Sequence, residues 1–353
     1  MPPLPPMTRR LTPKPPLPVA SLFCSLMPSS ETTQTSPVQP VPQPPAGDPS
    51  RNGAVDYSTN LEGSLQERIV QTALGACALL TVATTLGIVA TLAYESFSFF
   101  LSVGVLDFLT GTEWRYAGVE PSFGVLPLVG GTLLITVIAA LVGLPLGLGA
   151  AIYISQYASR TARKILKPAL EVLAGVPTVV YGYFALTFVS GVIIQGIDSS
   201  LPPLNALSAG VVVGVMIIPM VASVSEDALQ AVPASLSDGA YALGATKIEV
   251  VLKVIVPAAL SGIIASFILA ISRAIGETMI VAIAAGATAN LTANPLESIQ
   301  TMTGFIVQVA KGDIDQGTLS YQSLFAVGLL LYLITLGMNL LATWLTRRFQ
   351  ERY

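Results

Sequence analysis

Residues 121–159 read PSFGVLPLVGGTLLITVIAALVGLPLGLGAAIYISQYAS, bounded by Glu120 and Arg160 with no charge between them. A helix needs about 20 apolar residues to cross the hydrocarbon core of a bilayer. This run is long enough for one crossing with several turns to spare. Four further charge-free runs lie between Arg68 and Glu95, Glu171 and Asp198, Asp198 and Glu226, and Asp315 and Arg347. A sixth apolar stretch, from Val254 to Ala287, is interrupted only by Arg273 and Glu277. These runs predict an all-α membrane protein with six transmembrane helices, near 70–93, 125–155, 169–192, 206–223, 254–286 and 322–345. Pro127, Pro145, Pro177 and Pro219 fall inside or beside them. Membrane helices tolerate such breaks where neighbours satisfy the freed carbonyls.

Composition supports the same solvent. Only 10% of the 353 residues are charged, 52% are hydrophobic and mean hydropathy is +0.71. A chain this long and this apolar cannot hide its hydrophobic surface in one soluble core, where roughly 25% charge is usual. There is no histidine, which argues against a zinc enzyme, a His-based triad and a His proton relay. Cys24 and Cys77 lie in a Pro-rich stretch and an apolar run, so no disulfide framework is expected. No G-x-x-x-x-G-K-[ST] loop is present.

Residues 1–65 form a separate region in this reading. The first fifty residues hold 15 of the 26 prolines, with no helical or strand period, which predicts a disordered or polyproline-like extension. Residues 66–353 form the membrane domain. With the N-terminus placed in the cytoplasm, fourteen Lys and Arg fall in cytoplasmic segments and two, Arg115 and Lys311, in outer loops. That asymmetry puts both termini on the cytoplasmic side of a multi-pass inner-membrane protein.

Three motifs stand out. The first lies in the cytoplasmic loop 224–253 between helices four and five. It runs Asp238-Gly239-Ala240, three residues, Gly244, nine residues, then Val254-Ile255-Val256-Pro257. Ser237 and Asp238 can cap a short helix, and Gly244 allows a sharp change of direction. The plain alternative is an ordinary turn between two spans. The second motif is Ser272-Arg273-Ala274-Ile275-Gly276-Glu277-Thr278-Met279. Ionised groups within a span cost about 2.5–3.5 kcal/mol each on insertion scales and mark function by default. Arg273 and Glu277, four residues apart, share one face of a continuous helix. A self-neutralising structural pair is one reading. The other makes Arg273 a transient anion contact, since its planar fork matches a tetrahedral oxyanion, with Glu277 orienting it. The third motif is Gly175-Val176-Pro177-Thr178-Val179-Val180-Tyr181-Gly182, either a simple proline kink or a place where Pro177, Thr178 and Tyr181 meet a passing ligand.

These motifs carry a resemblance. The loop with Asp238, Gly239, Ala240, Gly244 and Pro257 resembles the EAA loop of ABC importer permeases. Its spacing is kept, and Asp238, Gly239, Val254 and Val256 depart from the usual letters. The Arg273–Thr278 segment resembles the R-A-L-G-E-T segment of phosphate-specific permeases, and Thr278 favours phosphate over sulfate or molybdate. The 175–182 stretch resembles their P-S-V-V-Y-G segment. Phe108–Trp114 and Trp344–Arg348 point to the PstC type. The resemblance implies a MetI-like fold and phosphate import by alternating access. It also implies a substrate pathway through Arg273, Glu277, Thr278, Pro177, Thr178 and Tyr181. The partners would be a PstA-like permease, two PstB-like ATPase subunits and a periplasmic PstS-like phosphate-binding protein. ATP and Mg would sit on the ATPase, with no cofactor and no catalytic residue on this chain. Three readings remain as rivals: a sulfate- or molybdate-type importer, an ion-coupled secondary transporter, and a membrane enzyme or scaffold.

Overall fold

The computed structural model describes residues 65–349, apart from 117, 119, 313, 314 and 316. The predicted disordered extension lies outside the described residues. The chain divides into two compact units, Met1–Val70 and Gln71–Tyr353. Of the first, only the opening residues of the first helix are described.

Helices α1 (Leu65–Ser102) and α2 (Val105–Thr110) lead into a two-stranded antiparallel hairpin, β1 (Trp114–Arg115) and β2 (Ser122–Phe123). Helix α3 (Leu126–Ile152) continues into a π-helical turn at Tyr153–Tyr157. Helix α4 (Arg160–Gly175) follows, then α5 (Thr178–Phe184), which runs through a π-helical stretch at Ala185–Ile194 into α6 (Gln195–Ile197). Helix α7 (Ala206–Gln230) leads to the short α8 (Ala234–Ala242). Helices α9 (Lys247–Val250) and α10 (Val256–Ala258) flank a third π-helical turn. The chain ends with α11 (Leu260–Ile275), α12 (Met279–Ala284), α13 (Met302–Lys311) and α14 (Leu319–Phe349).

Among the described residues, five helical stretches are long and apolar enough to cross a membrane: Glu67–Ser102, Leu126–Tyr157, Thr178–Ile197, Ala206–Gln230 and Leu319–Thr346. A sixth forms if Lys247–Ala258 and Leu260–Ile275, bent by 70° at Ala259, count as one span. The expected six spans are reached only when this bent pair is counted as one, and three boundaries move. The predicted helix at 169–192 is two elements, because Pro177 withholds an amide and starts a new helix at Thr178. Glu171 thus belongs to α4, an amphipathic helix separate from the span. The predicted helix at 254–286 is bent at Ala259 and interrupted again at Gly276–Thr278. Helix α7 runs past 223 to Gln230, since Glu226 and Asp227 end the apolar run without ending the helix.

The centre of the fold is the pairing of α3 with α7, and small residues make it possible. A Cβ on Gly143 would stand 2.4 Å from Ile217 Cγ1 and 2.6 Å from the Gly214 carbonyl oxygen. On the other helix, a Cβ on Gly210 would meet Ile138 at 2.7 Å. Without a hydrophobic drive between helices in lipid, association depends on this kind of close packing. Gly143→Ala should therefore cost about 1–3 kcal/mol through overpacking, read as a fall in melting temperature of the purified protein. Gly149→Ala, on the same helix but with open space around the added methyl, should leave that temperature unchanged.

The buried side chains form three groups. The largest joins α3, α5, α7, α11 and α12 around Ile135, Val213, Ile217, Ala270 and Ile280. A second, aromatic group packs Phe99, Phe108, Trp114, Phe123 and Phe305 edge to face, with Trp114 and Phe305 centroids 4.8 Å apart. A third, around Leu229, Val251, Ile255 and Ile263, anchors the bent segment to the end of α7. Helix α1 meets the core near its C-terminal end, through Phe99, while no residue in its most apolar window is buried. Its outward Leu79, Leu80 and Leu86 suit lipid or a partner helix rather than water.

Candidate functional site

One face of each of four helices converges on a cavity of about 840 Å³. Helix α4 contributes Lys167, Leu170, Glu171 and Ala174, a helical stripe at i, i+3, i+4 and i+7. Helix α7 contributes Met216, Pro219, Met220, Ser223, Glu226 and Asp227. Leu269, Ser272 and Arg273 come from α11, followed by Gly276 and Glu277, while Thr335 and Asn339 come from α14.

Helix α4 is fixed from both ends. The Ser159 hydroxyl caps it by accepting from the Ala162 amide at 3.2 Å. Arg163 donates to the carbonyls of Ile154 (2.7 and 3.1 Å) and Ser155 (2.9 Å), tying α4 to the exposed end of the α3 segment. At the far end the Tyr181 hydroxyl donates to the Leu173 carbonyl at 2.7 Å and bridges the break before α5. That bond uses the hydroxyl the sequence reading offered to a ligand. Pro177, Thr178 and Tyr181 do not line the cavity.

Arg273 sits in the last turn of α11, exposed toward the cavity, where the helix dipole favours a cation. It forms no ion pair among the described residues. The expected pairing with Glu277 does not occur, because α11 ends at Ile275 and the two residues are not on one continuous helix. Glu277 instead turns its Oε1 to the amides of Met279 (3.1 Å) and Ile280 (3.3 Å), closing the start of α12. The Glu277 carbonyl accepts from Thr303 Oγ1 at 2.7 Å, so the break is held from α13 as well. Glu277 is 7% exposed and still lines the cavity, whereas Thr278 does not and donates to the Gly276 carbonyl. Ser272, beside Arg273, has a buried hydroxyl with no partner among the described residues.

A second charged group at the cavity is one the sequence reading did not find. Glu226, 4% exposed, accepts from Lys167 Nζ at 2.9 Å and from Gln230 Nε2 at 2.5 Å, both at Oε1. In the sequence Lys167 is one of the fourteen cations on the cytoplasmic side, and Glu226 ends an apolar run. They are 59 positions apart in sequence, and no local pattern joins them. The one available signal was that a carboxylate closes a long apolar run beside a span.

The EAA-like motif lies on α8 and the turn after it. The helix is Ala234–Ala242, so it starts before the expected cap at Ser237 and Asp238. Pro233 occupies the position before the first turn. Ser237 therefore lies within the helix and donates to the Ala234 carbonyl at 2.8 Å instead of capping it. No residue of α8 is buried. Asp238 and Gly239 face outward, with open space around Gly239, while Ala240 packs against the third apolar group. Gly244 has φ +84°, a conformation L side chains rarely adopt, and its amide donates to the Tyr241 carbonyl. Thr246 and Glu249 then form a capping box that starts α9. Pro257 stands in α10, just before the 70° bend.

The chain has relatives among known proteins. The family described as "Binding-protein-dependent transport system inner membrane component" matches residues 143–351. The chain belongs to this family. It is an ABC transporter permease with several membrane-spanning helices. The Bacillus subtilis (strain 168) protein named probable ABC transporter permease protein YqgH is 35% identical to this permease over 275 residues, 77% of this chain and 88% of the relative. The phosphate transport system permease protein PstC of Xylella fastidiosa (strain 9a5c) is 31% identical over 266 residues, 70% of this chain and 80% of the relative. Among solved structures, a chain of a bacterial alginate ABC transporter in complex with an alginate pentasaccharide-bound periplasmic protein superposes with a TM-score of 0.57. That match covers 81% of this permease and 98% of that chain at 17% identity, a likeness of fold alone.

Proposed function

We propose that this permease forms part of the transmembrane pathway of an ATP-driven importer that takes inorganic phosphate from the periplasm to the cytoplasm. The observation that carries the reading is Arg273: a guanidinium within a bundle of apolar helices, open to an 840 Å³ cavity and without an ion-pair partner among the described residues. A permanent cation held there without a partner is costly unless a mobile anion visits it. Kinship at 31% identity with a permease named for phosphate transport supports phosphate as that anion. Sulfate and molybdate are the alternatives, and Thr278 in the Arg273–Thr278 segment favours phosphate over both.

Energy for transport would come from partner subunits, since this chain has no phosphate-binding loop of the G-x-x-x-x-G-K-[ST] type. The assembly we infer has a PstA-like permease beside this chain, two PstB-like ATPase subunits holding ATP and Mg, and a PstS-like protein delivering phosphate from outside. It would lie in the bacterial inner membrane with both termini in the cytoplasm. Helix α8 is the contact for the ATPase, through Asp238, Gly239, Ala240 and Gly244. It is well placed to transmit force. Helix α7 enters it through three residues, 231–233, and the bent segment leaves it toward α11. Helices α7 and α11 are also joined to each other by the Ser225–Ser266 hydrogen bond of 2.7 Å. A pull on α8 therefore acts on two cavity walls together. ATP-driven closure would open the Arg273 site outward, and hydrolysis would return it inward.

Proteoliposomes with the complete complex should take up radiolabelled phosphate with internal ATP and no ion gradient. A tenfold excess of sulfate should leave that uptake nearly unchanged. Uptake driven only by a proton or sodium gradient would instead identify a secondary transporter, and strong sulfate competition would shift the cargo.

A further inference from the structure

The geometry points to Lys167 as a second anion station, on the α8 side of Arg273, whose ammonium passes between Glu226 and the departing anion. The inference rests on the anion reading of Arg273.

The relative depth of the two cations follows from the antiparallel packing of α7 on α11. Ser225 is hydrogen bonded to Ser266, and a Cβ on Gly262 would touch Ala228. Glu226, next to Ser225, therefore lies at the level of Ser266. Arg273 is seven residues further along α11, or about 10 Å at the helical rise. Lys167 is paired with Glu226 and so marks the lower level, toward α8. Both cations line the same cavity. An anion leaving Arg273 for the α8 side passes Lys167 on its way.

The Lys167–Glu226 pair is built for exchange rather than permanence. Glu226 is held by two donors, and one of them, Gln230, comes from its own helix and remains if Lys167 turns away. The Lys167 side chain is 41% exposed, against 5% for that of Glu226, so the ammonium can reach the cavity while the carboxylate stays in place. Glu171 and Asp227 line the same region and add negative charge. A lone lysine there would bind the anion and retain it. A lysine already claimed by a carboxylate holds it briefly. Conduction demands sites that are favourable enough to enter and weak enough to leave.

The test uses the complete nucleotide-free complex, with equilibrium retention of radiolabelled inorganic phosphate and its uptake after reconstitution. Lys167→Met should lower retention and slow uptake several-fold, and Lys167→Arg should restore most of both. Glu226→Gln keeps an acceptor for Gln230 and Lys167 but removes the competing charge. It should raise retention by about tenfold, the value of one charge-assisted hydrogen bond, while slowing uptake. A pair that only braces α4 against α7 predicts otherwise: both variants would lower uptake together and leave retention unchanged. That result, or wild-type behaviour of Lys167→Met, overturns the station. Failure of the underlying anion reading has a separate signature, which is unchanged retention in Arg273→Gln.

Discussion

Arg273→Gln should abolish phosphate uptake while the permease still inserts and assembles with its partners. The size of the effect follows from the chemistry. Two parallel hydrogen bonds from a guanidinium to an oxyanion contribute about 1.5–3 kcal/mol each. Losing both costs about two to four orders of magnitude in anion affinity. Glutamine cannot replace them, since it has no charge and offers one amide group in place of the fork. Assembly survives because Arg273 forms no ion pair among the described residues, so its removal strands no carboxylate. The start of α12 is also held independently, through Glu277 and the Met279 and Ile280 amides. Uptake in reconstituted vesicles, with co-purification of the ATPase as the control, is the measurement. Normal uptake by this variant would end the anion role of the residue.

Gly244→Pro should separate ATP hydrolysis from uptake. Gly244 holds φ +84° and donates its amide to the Tyr241 carbonyl. Proline is locked near φ −65° and has no amide hydrogen, so it can meet neither requirement. The strain, more than about 1 kcal/mol for a proline at an incompatible φ, falls on the turn that joins α8 to α9, and α8 must shift to relieve it. The core is spared, since a Cβ at 244 meets no atom within 4 Å and no residue of α8 is buried. The expected phenotype is a stable complex whose ATPase activity persists while uptake per ATP falls at least tenfold. Wild-type coupling in this variant would show that force reaches the cavity by another route.

The contrast between the two positions shows what a linear sequence can disclose. The membrane architecture was legible because a bilayer penalises charge at every position of a span, so each crossing leaves a long uncharged run. Arg273 was legible for the same reason, as an exception to that rule. Gly244 was found by spacing, and its positive φ gives the physical reason a glycine stands there. The helix break at Gly276–Thr278 left no such mark. Neither Gly276 nor Thr278 is a strong breaker in lipid, and the break is stabilised by Thr303 of α13, which lies 26 positions from Glu277. The expected Arg273–Glu277 pair failed on that account, because a four-residue spacing brings side chains together only on an unbroken helix. The start of α8 was misplaced because Ser237 looked like a cap, while Pro233 sets the boundary earlier.

Sequence alone therefore determined the medium of this protein, its run of long apolar helices and the position of Arg273 as a charge among them. Each of these follows from the cost of placing charge in hydrocarbon, which acts residue by residue. Tertiary structure alone decided that Glu277 serves α12, that Tyr181 closes onto α4, and that Lys167 meets Glu226 beside the cavity. Those partnerships depend on where separate helices stop and how closely α3, α7 and α11 approach. These are properties of packing among distant segments that no single stretch of chain encodes.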